Sequence, residues 1–362
     1  MKKSVLLRPK VILVLFLMLL VVSCNTTSFQ PDHDVSNIEA HSSKRNIVIG
    51  FSQLGAESDW RSANTESMKE IFTNENGYTL LLEDGQQKQA NQIMAIRTFI
   101  QQEVDYIVLA PVTETGWDTV LQEAKDAGIP VIIMDRMVDV EDDNLFTCWV
   151  GSDFRLEGKK VAQWLKQYTE AKHIDAQDLH IVNIQGTLGG SAQIGRTKGL
   201  QEAARANGWD LLEEKTGDFT QAKGKEVMEY FLKKYDNINV VYCENDNEAI
   251  GAIEAIEAAG KKVGGRINQG EIMMISFDGV KKEAMDNVVL DKITCIAECN
   301  PWLGPRVRNI IELLEENKSP AKLSYVNEGI YTHDDSVKTI LVDHIEYPIT
   351  VVTQEVLDER KY

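Results

Sequence analysis

The chain has 362 residues, with 56 acidic against 38 basic side chains and a formal net charge of −18. That length is too great for one ordinary core and suits two domains. A surface this acidic repels nucleic acid and anionic lipid, so both are excluded as partners.

At the start, Lys2, Lys3, Arg8 and Lys10 precede an unbroken apolar run from Val11 to Val22, followed by Ser23 and Cys24. The run is too short to span a bilayer permanently but suits the apolar region of an export signal, residues 1–23. Val21-Val22-Ser23-Cys24 resembles a bacterial lipobox, which implies cleavage before Cys24 and lipidation of its thiol; a soluble secreted protein is the alternative. Residues 24–45 are polar and without periodicity, as in a flexible tether. Acyl chains on Cys24 would hold the protein on the extracytoplasmic face of the membrane without spanning it.

Beyond the tether, short β-branched runs alternate with amphipathic segments. The runs predict strands at 46–52, 78–82, 106–110, 131–134, 145–150, 179–184, 240–243, 272–276 and 293–297. Continuous apolar strands separated by helices imply parallel sheets covered on both faces, a doubly wound α/β architecture. Ser58 is placed to cap the first helix, and Gly77 to end it in the left-handed conformation; Gly128 with Pro130 closes another. The alternation divides near residue 150 into two halves.

Polar residues interrupt the carboxyl ends of these strands: Gln53 and Glu57 to Arg61, Asp84 to Gln87, Asp135-Arg136, Gln185-Gly186 and Arg196, Asn245-Asp246, Asp278, and Glu298 to Asn300. In open α/β sheets ligands bind in the crevice outside those ends. Asp, Arg and Asn together supply acceptors, bidentate donors and an amide that does both, which suits a small neutral molecule rich in hydroxyls. An aromatic such as Trp60 stacks on the apolar face of a sugar ring. The segment after the first strand is neither a dinucleotide fingerprint nor a P-loop. Gly186-Thr187-Leu188-Gly189-Gly190 opens a helix and is a weak phosphate-cradle signal, with a tight turn lining the cleft as the plainer reading.

Gly50-Phe51-Ser52-Gln53, Glu57-Ser58-Asp59-Trp60-Arg61, Asp84-Gly85-Gln86-Gln87-Lys88-Gln89, Asp135-Arg136 and Gly217-Asp218-Phe219-Thr220 resemble the pulse-type periplasmic sugar-binding proteins, nearest the galactofuranose-binding components of sugar ABC transporters. The resemblance covers about residues 46–345. It implies a type I periplasmic binding fold: two Rossmann-like lobes, 46–150 with 300–329 and 151–299 with 330–362, joined by a three-segment hinge with crossings near 150–151, 299–300 and 328–332. It implies a monomer that binds a monosaccharide by hinge closure and delivers it to permease transmembrane subunits with their ATPase.

Residue roles follow where the motif matches. Asp135 accepts from sugar hydroxyls and Arg136 donates to ring or hydroxyl oxygens, each holding the other's charge. Trp60 and Arg61 fall where relatives place a stacking aromatic and an arginine. Arg196, Asn245 and Asp278 match ligand positions of the second lobe, and Gln53 and Glu57 complete the candidate sugar-binding set, with a solvated helix-start acid as the alternative for Glu57. The segment after Asp246 departs from the family, reading Asn247-Glu248, so Asp246 is expected to cap a helix.

An enzyme is the competing class. Asp135, Asp246 and Asp278 would supply paired glycosidase carboxyls, but Arg136 and Arg196 are expected to lower carboxyl pKa values and work against a protonated acid. No nucleophile elbow or zinc signature is present. No cofactor or metal is expected, and Cys148, Cys243, Cys295 and Cys299 read as buried thiols or at most one disulfide. A receptor that reports sugar to a membrane sensor kinase or chemoreceptor has the same site and remains open.

Overall fold

The computed structural model describes residues 45–280, 282–360 and 362; the export signal, Cys24 and the tether lie outside them. The elements in chain order are β1 (Ile47–Gln53), α1 (Asp59–Ile71), β2 (Tyr78–Asp84), α2 (Gln89–Gln101), β3 (Tyr106–Leu109), α3 (Asp118–Asp126), β4 (Val131–Met134), β5 (Cys148–Gly151), α4 (Phe154–Ala171), β6 (His180–Gln185), α5 (Ser191–Asn207), β7 (Asp210–Thr216) and α6 (Gln221–Lys234). They continue with β8 (Val240–Cys243), α7 (Asp246–Ala258), β9 (Lys262–Val263), β10 (Glu271–Asp278), α8 (Lys282–Val289), β11 (Cys295–Glu298), α9 (Gly304–Glu315), β12 (Leu323–Tyr325), β13 (Ile330–Thr332), β14 (Thr339–Val342), β15 (Ile345–Pro348), β16 (Thr350–Val351) and α10 (Gln354–Glu359). No helix among the described residues is long and apolar enough to cross a membrane.

One sheet runs β12-β5-β4-β3-β1-β2, all parallel. The other runs β16-β13-β11-β10-β8-β6-β7, parallel except where β13 lies antiparallel to β11. In each, the second strand in sequence sits outside the first and the third sits inside, so the winding reverses between β1 and β3 and again between β6 and β8. Those reversals open a crevice at the strand carboxyl ends. Consecutive strand residues face opposite sides: Val108 and Ile132 pack under α1 and α9, while Ile107, Leu109 and Ile133 pack under α2 and α3. That two-sided burial is why these strands read as unbroken apolar runs.

The chain passes between the sheets at 152–153, 299–303 and 326–329. The edge strand β7 is half-buried and largely charged, and β12 to β16 are only two to four residues long, so strand patterning does not reach them. Ser58 caps α1 by accepting from the Arg61 backbone. Gly77 does not end that helix; α1 stops at Ile71, and Gly77, at φ +83°, closes the 3-10 turn at 74–76. Gly128 adopts φ +72° just beyond α3, as expected.

The helices α4 and α5 cross with their backbones in contact. A Cβ on Gly199 would lie 2.6 Å from the carbonyl carbon of Gly158, a clash with backbone that no rotamer relieves. This approach brings Glu157 of α4 onto Arg196 of α5, Oε2 to Nε at 2.7 Å. Gly199→Ala should therefore cost about 1–3 kcal/mol by overpacking, read as a lowered unfolding midpoint in denaturant; an unchanged midpoint would show that the crossing has slack.

Candidate functional site

Between the two sheets lies a small polar cavity. From the first sheet's side it is lined by Glu57, Ser58, Trp60, Arg61, Asp135 and Arg136, and from the second by Phe154, Ala192, Arg196, Phe219, Asn245 and Asp278, with Cys299 at a crossing segment. Eight of the nine candidate residues meet there. Gln53 does not: its Nε2 donates to Asn64 Oδ1 and Thr65 Oγ1, both at 3.0 Å, and its Oε1 accepts from the Leu54 backbone, so its amide is spent tying the end of β1 to α1. Polarity at a strand end does not reveal which way the side chain turns.

Asp135 and Asp278 stand at equivalent places, just beyond β4 and at the end of β10, and both adopt the left-handed region, at φ +64° and +90°. Non-glycine residues pay conformational energy there, and such positions cluster at ligand clamps. Asp135 is fixed by its own backbone, its carbonyl accepting from Trp149 Nε1 at 2.9 Å. Its carboxylate accepts from Arg61 Nη2 at 2.6 Å. Arg136 points the other way and donates from Nη2 to Glu57 Oε1 at 2.5 Å and from Nη1 to the Val112 carbonyl. Asp135 thus neutralises Arg61 on α1, Arg136 neutralises Glu57 just before it, and the adjacent two do not pair with each other.

In the second half Arg196 is held by Glu157, by Asp278 Oδ1 at 3.1 Å and by the Glu244 carbonyl. Asn245 accepts from the Glu248 backbone at 2.8 Å and so caps α7, the role expected of Asp246; its Nδ2 donates to the Phe219 carbonyl at 3.0 Å. Asp246 instead braces the end of β10, accepting from Ser276 Oγ and the Val280 backbone.

Burial governs the site's electrostatics. It works against the Arg61 cation, but Asp135 and Glu57 outweigh it and hold the guanidinium above its ordinary value. For Arg136 burial prevails over Glu57 and lowers it. The expectation that arginines hold the carboxyls low fails for Asp278 and Glu157: desolvation pushes both up in spite of Arg196. A charge taken wholly out of water loses more than one partner returns.

Several buried polar atoms here have no hydrogen-bond partner within the protein: Arg61 Nε and Nη1, Arg136 Nε and Glu57 Oε2. Buried groups of this kind are ordinarily satisfied, and these four belong to side chains that line the cavity. Phe154, Phe219 and Trp60 supply apolar walls, Phe219 at 5.1 Å from the Arg136 guanidinium carbon. Phe219 reaches its place because Gly186 has no side chain; a Cβ there would lie 1.9 Å from its ring. Among the cavity's residues, Phe154 and Phe219 went unassigned in the sequence because a lone aromatic reads as core. The glycine-rich turn at 186–190 sends the Gly189 carbonyl across to the Glu114 backbone at 2.9 Å.

Behind the cavity the crossing segments are tied together. Glu328 Oε1 accepts from Ser152 Oγ at 2.6 Å and from the Asn300 backbone at 2.7 Å, and Trp60 Nε1 donates to the Cys299 carbonyl at 2.7 Å. Glu157, Cys299 and Glu328 each bring one potential metal-ligand atom within 4.8 Å of the others, but Arg196 and Lys160 already supply positive charge to the two carboxyls. The four described cysteines are buried and free.

Two doubly wound sheets facing each other across a polar cavity, with the chain crossing three times between them, define a two-lobed protein that clamps a small molecule. A model of the periplasmic binding protein domain matches residues 49–294. The galactofuranose-binding protein YtfQ of Escherichia coli is 41% identical over 296 residues, covering 80% of this chain and 88% of the relative. A Mycobacterium smegmatis protein solved with β-D-fucofuranose superimposes with a TM-score of 0.73 at 40% identity, covering 79% of this chain and 91% of that one. The binding component of the arabinose ABC transporter from Shewanella sp. ANA-3, solved with α- and β-L-arabinofuranose, gives 0.72 at 40% identity with the same coverage. The chain belongs to the periplasmic binding protein family, whose members work outside the cytoplasm.

Proposed function

We propose that this chain is the substrate-binding component of a sugar ABC transporter, clamping a neutral monosaccharide of the furanose class between its lobes and presenting the closed form to the permease. The observation that carries the reading is the set of partnerless polar atoms on Arg61, Arg136 and Glu57 in a cavity with aromatic walls. Three donors and an acceptor in one small space suit vicinal hydroxyls. The charged groups already pair among themselves, so a charged ligand would have to break one of these pairs to gain a partner. The relatives at about 40% identity that carry furanoses favour a five-membered ring, and transport over sensing. Catalysis has no part in it. We place the protein on the extracytoplasmic face of the membrane, held by lipid on Cys24, and acting as a monomer.

Thermal unfolding against a panel of neutral sugars tests this. Galactofuranose, fucofuranose or arabinofuranose should raise the midpoint in proportion to RT ln(1 + [L]/Kd), about 2.7 kcal/mol at a hundred times Kd. No response to any neutral sugar, or a response only to a phosphorylated one, would overturn the reading.

A further inference from the structure

Around the cavity the lobes meet at places that no ligand in it touches. On one side, the starts of α1 and α7 face each other: the Asp59 backbone nitrogen donates to Asn247 Oδ1 at 3.1 Å, and Asn247 Nδ2 donates to Asp59 Oδ2 at 2.7 Å. On the other, the Met137 backbone nitrogen donates to Ser191 Oγ at 2.9 Å, beside the backbone contact of Glu114 with Gly189. None of Asp59, Asn247, Met137 or Ser191 lines the cavity.

We infer that Asn247, bonded reciprocally to Asp59, is a latch that sets how tightly the protein holds its ligand without touching it, with Ser191 as a second latch across the mouth. The inference rests on ligand-driven closure. A ligand that needs the closed form binds with an apparent Kd equal to the intrinsic value divided by the closed fraction. Contacts that span the lobes exist only in the closed form, so they raise that fraction. The residue type at 247 fits the task, because an amide offers on two separate atoms both the donor that the Asp59 carboxylate requires and the acceptor that its backbone N–H requires. A carboxylate at 247 would stand against that of Asp59.

Asn247→Ala should raise the Kd of the stabilising sugar by about three- to tenfold, through faster release with unchanged association. Asn247→Asp should be worse, and Asp59→Asn with Asn247→Asp should return the Kd to within about twofold of wild type, since the exchanged pair rebuilds both bonds. A readout that needs no sugar comes from Met137→Cys with Ser191→Cys, placed where the lobes touch: the rate of disulfide trapping follows the closed population, and adding Asn247→Ala should slow it several-fold. Slowed trapping in a chain that binds no panel sugar would sink the functional reading and keep the latch. Unchanged trapping and unchanged Kd, or no recovery in the exchanged pair, would overturn the latch.

Discussion

Asp135→Ala should weaken sugar binding by about 2–5 kcal/mol, thirtyfold or more, because it strips a buried guanidinium of its partner. Arg61 is 2% exposed and donates to Asp135 at 2.6 Å. Without that carboxylate its remaining charge contact is Glu57 at 3.6 Å, which Arg136 already holds at 2.5 Å. The loss therefore includes disorder of Arg61 as well as any bond from Asp135 to the ligand. Gln53→Ala supplies the contrast. Its amide is turned to Asn64 and Thr65, so calorimetry should give a Kd within about threefold of wild type, with the cost confined to folding. Equal affinities for the Asp135 and Gln53 variants would remove the Arg61–Asp135 pair from the binding site.

The same contrast shows what the sequence can and cannot convey. The doubly wound sheets were legible because strands buried on both faces must be apolar throughout, and Val131–Met134 and Val240–Cys243 begin and end where the apolar run does. Asp135, Asn245 and Asp278 stood out because a polar side chain at the carboxyl end of such a strand has few structural uses. The family motif then gave Trp60, Arg61, Arg136 and Arg196 their roles. Pairing was not legible: Asp135-Arg136 looks like an ion pair in sequence, yet the left-handed turn at Asp135 sends the two side chains to different partners, Arg61 on α1 and Glu57 just before it. Nor was Glu328, which ties two crossing segments from a third, because its partners lie 176 and 28 residues away in the chain.

Glu244 lies beneath the cavity, wholly buried, and makes stability depend on pH. It accepts from Thr197 Oγ1 at 2.5 Å and the Gly186 backbone at 2.9 Å, yet burial outweighs these bonds and pushes its carboxyl up to about 7 from an ordinary 4.5. Between those two values the folded protein keeps a proton that the unfolded chain has released, so stability must fall as pH rises through that window. The span corresponds to about 3 kcal/mol. Below the window both states are protonated and the effect vanishes; above it the full cost stands. Glu244→Gln has no proton to lose, so in urea unfolding the variant should gain on wild type steadily from about pH 4.5 to about pH 7 and hold that gain beyond. Asp278 is also pushed up by burial, but it remains in both proteins and drops out of the difference; Glu248 is raised by burial and in part by Glu244 itself, so losing Glu244 relieves it and adds to the gain in the same direction. Parallel stability curves for the two proteins would mean that Glu244 is ionised in the fold, with Arg196, whose guanidinium bonds its carbonyl, close enough to hold the charge.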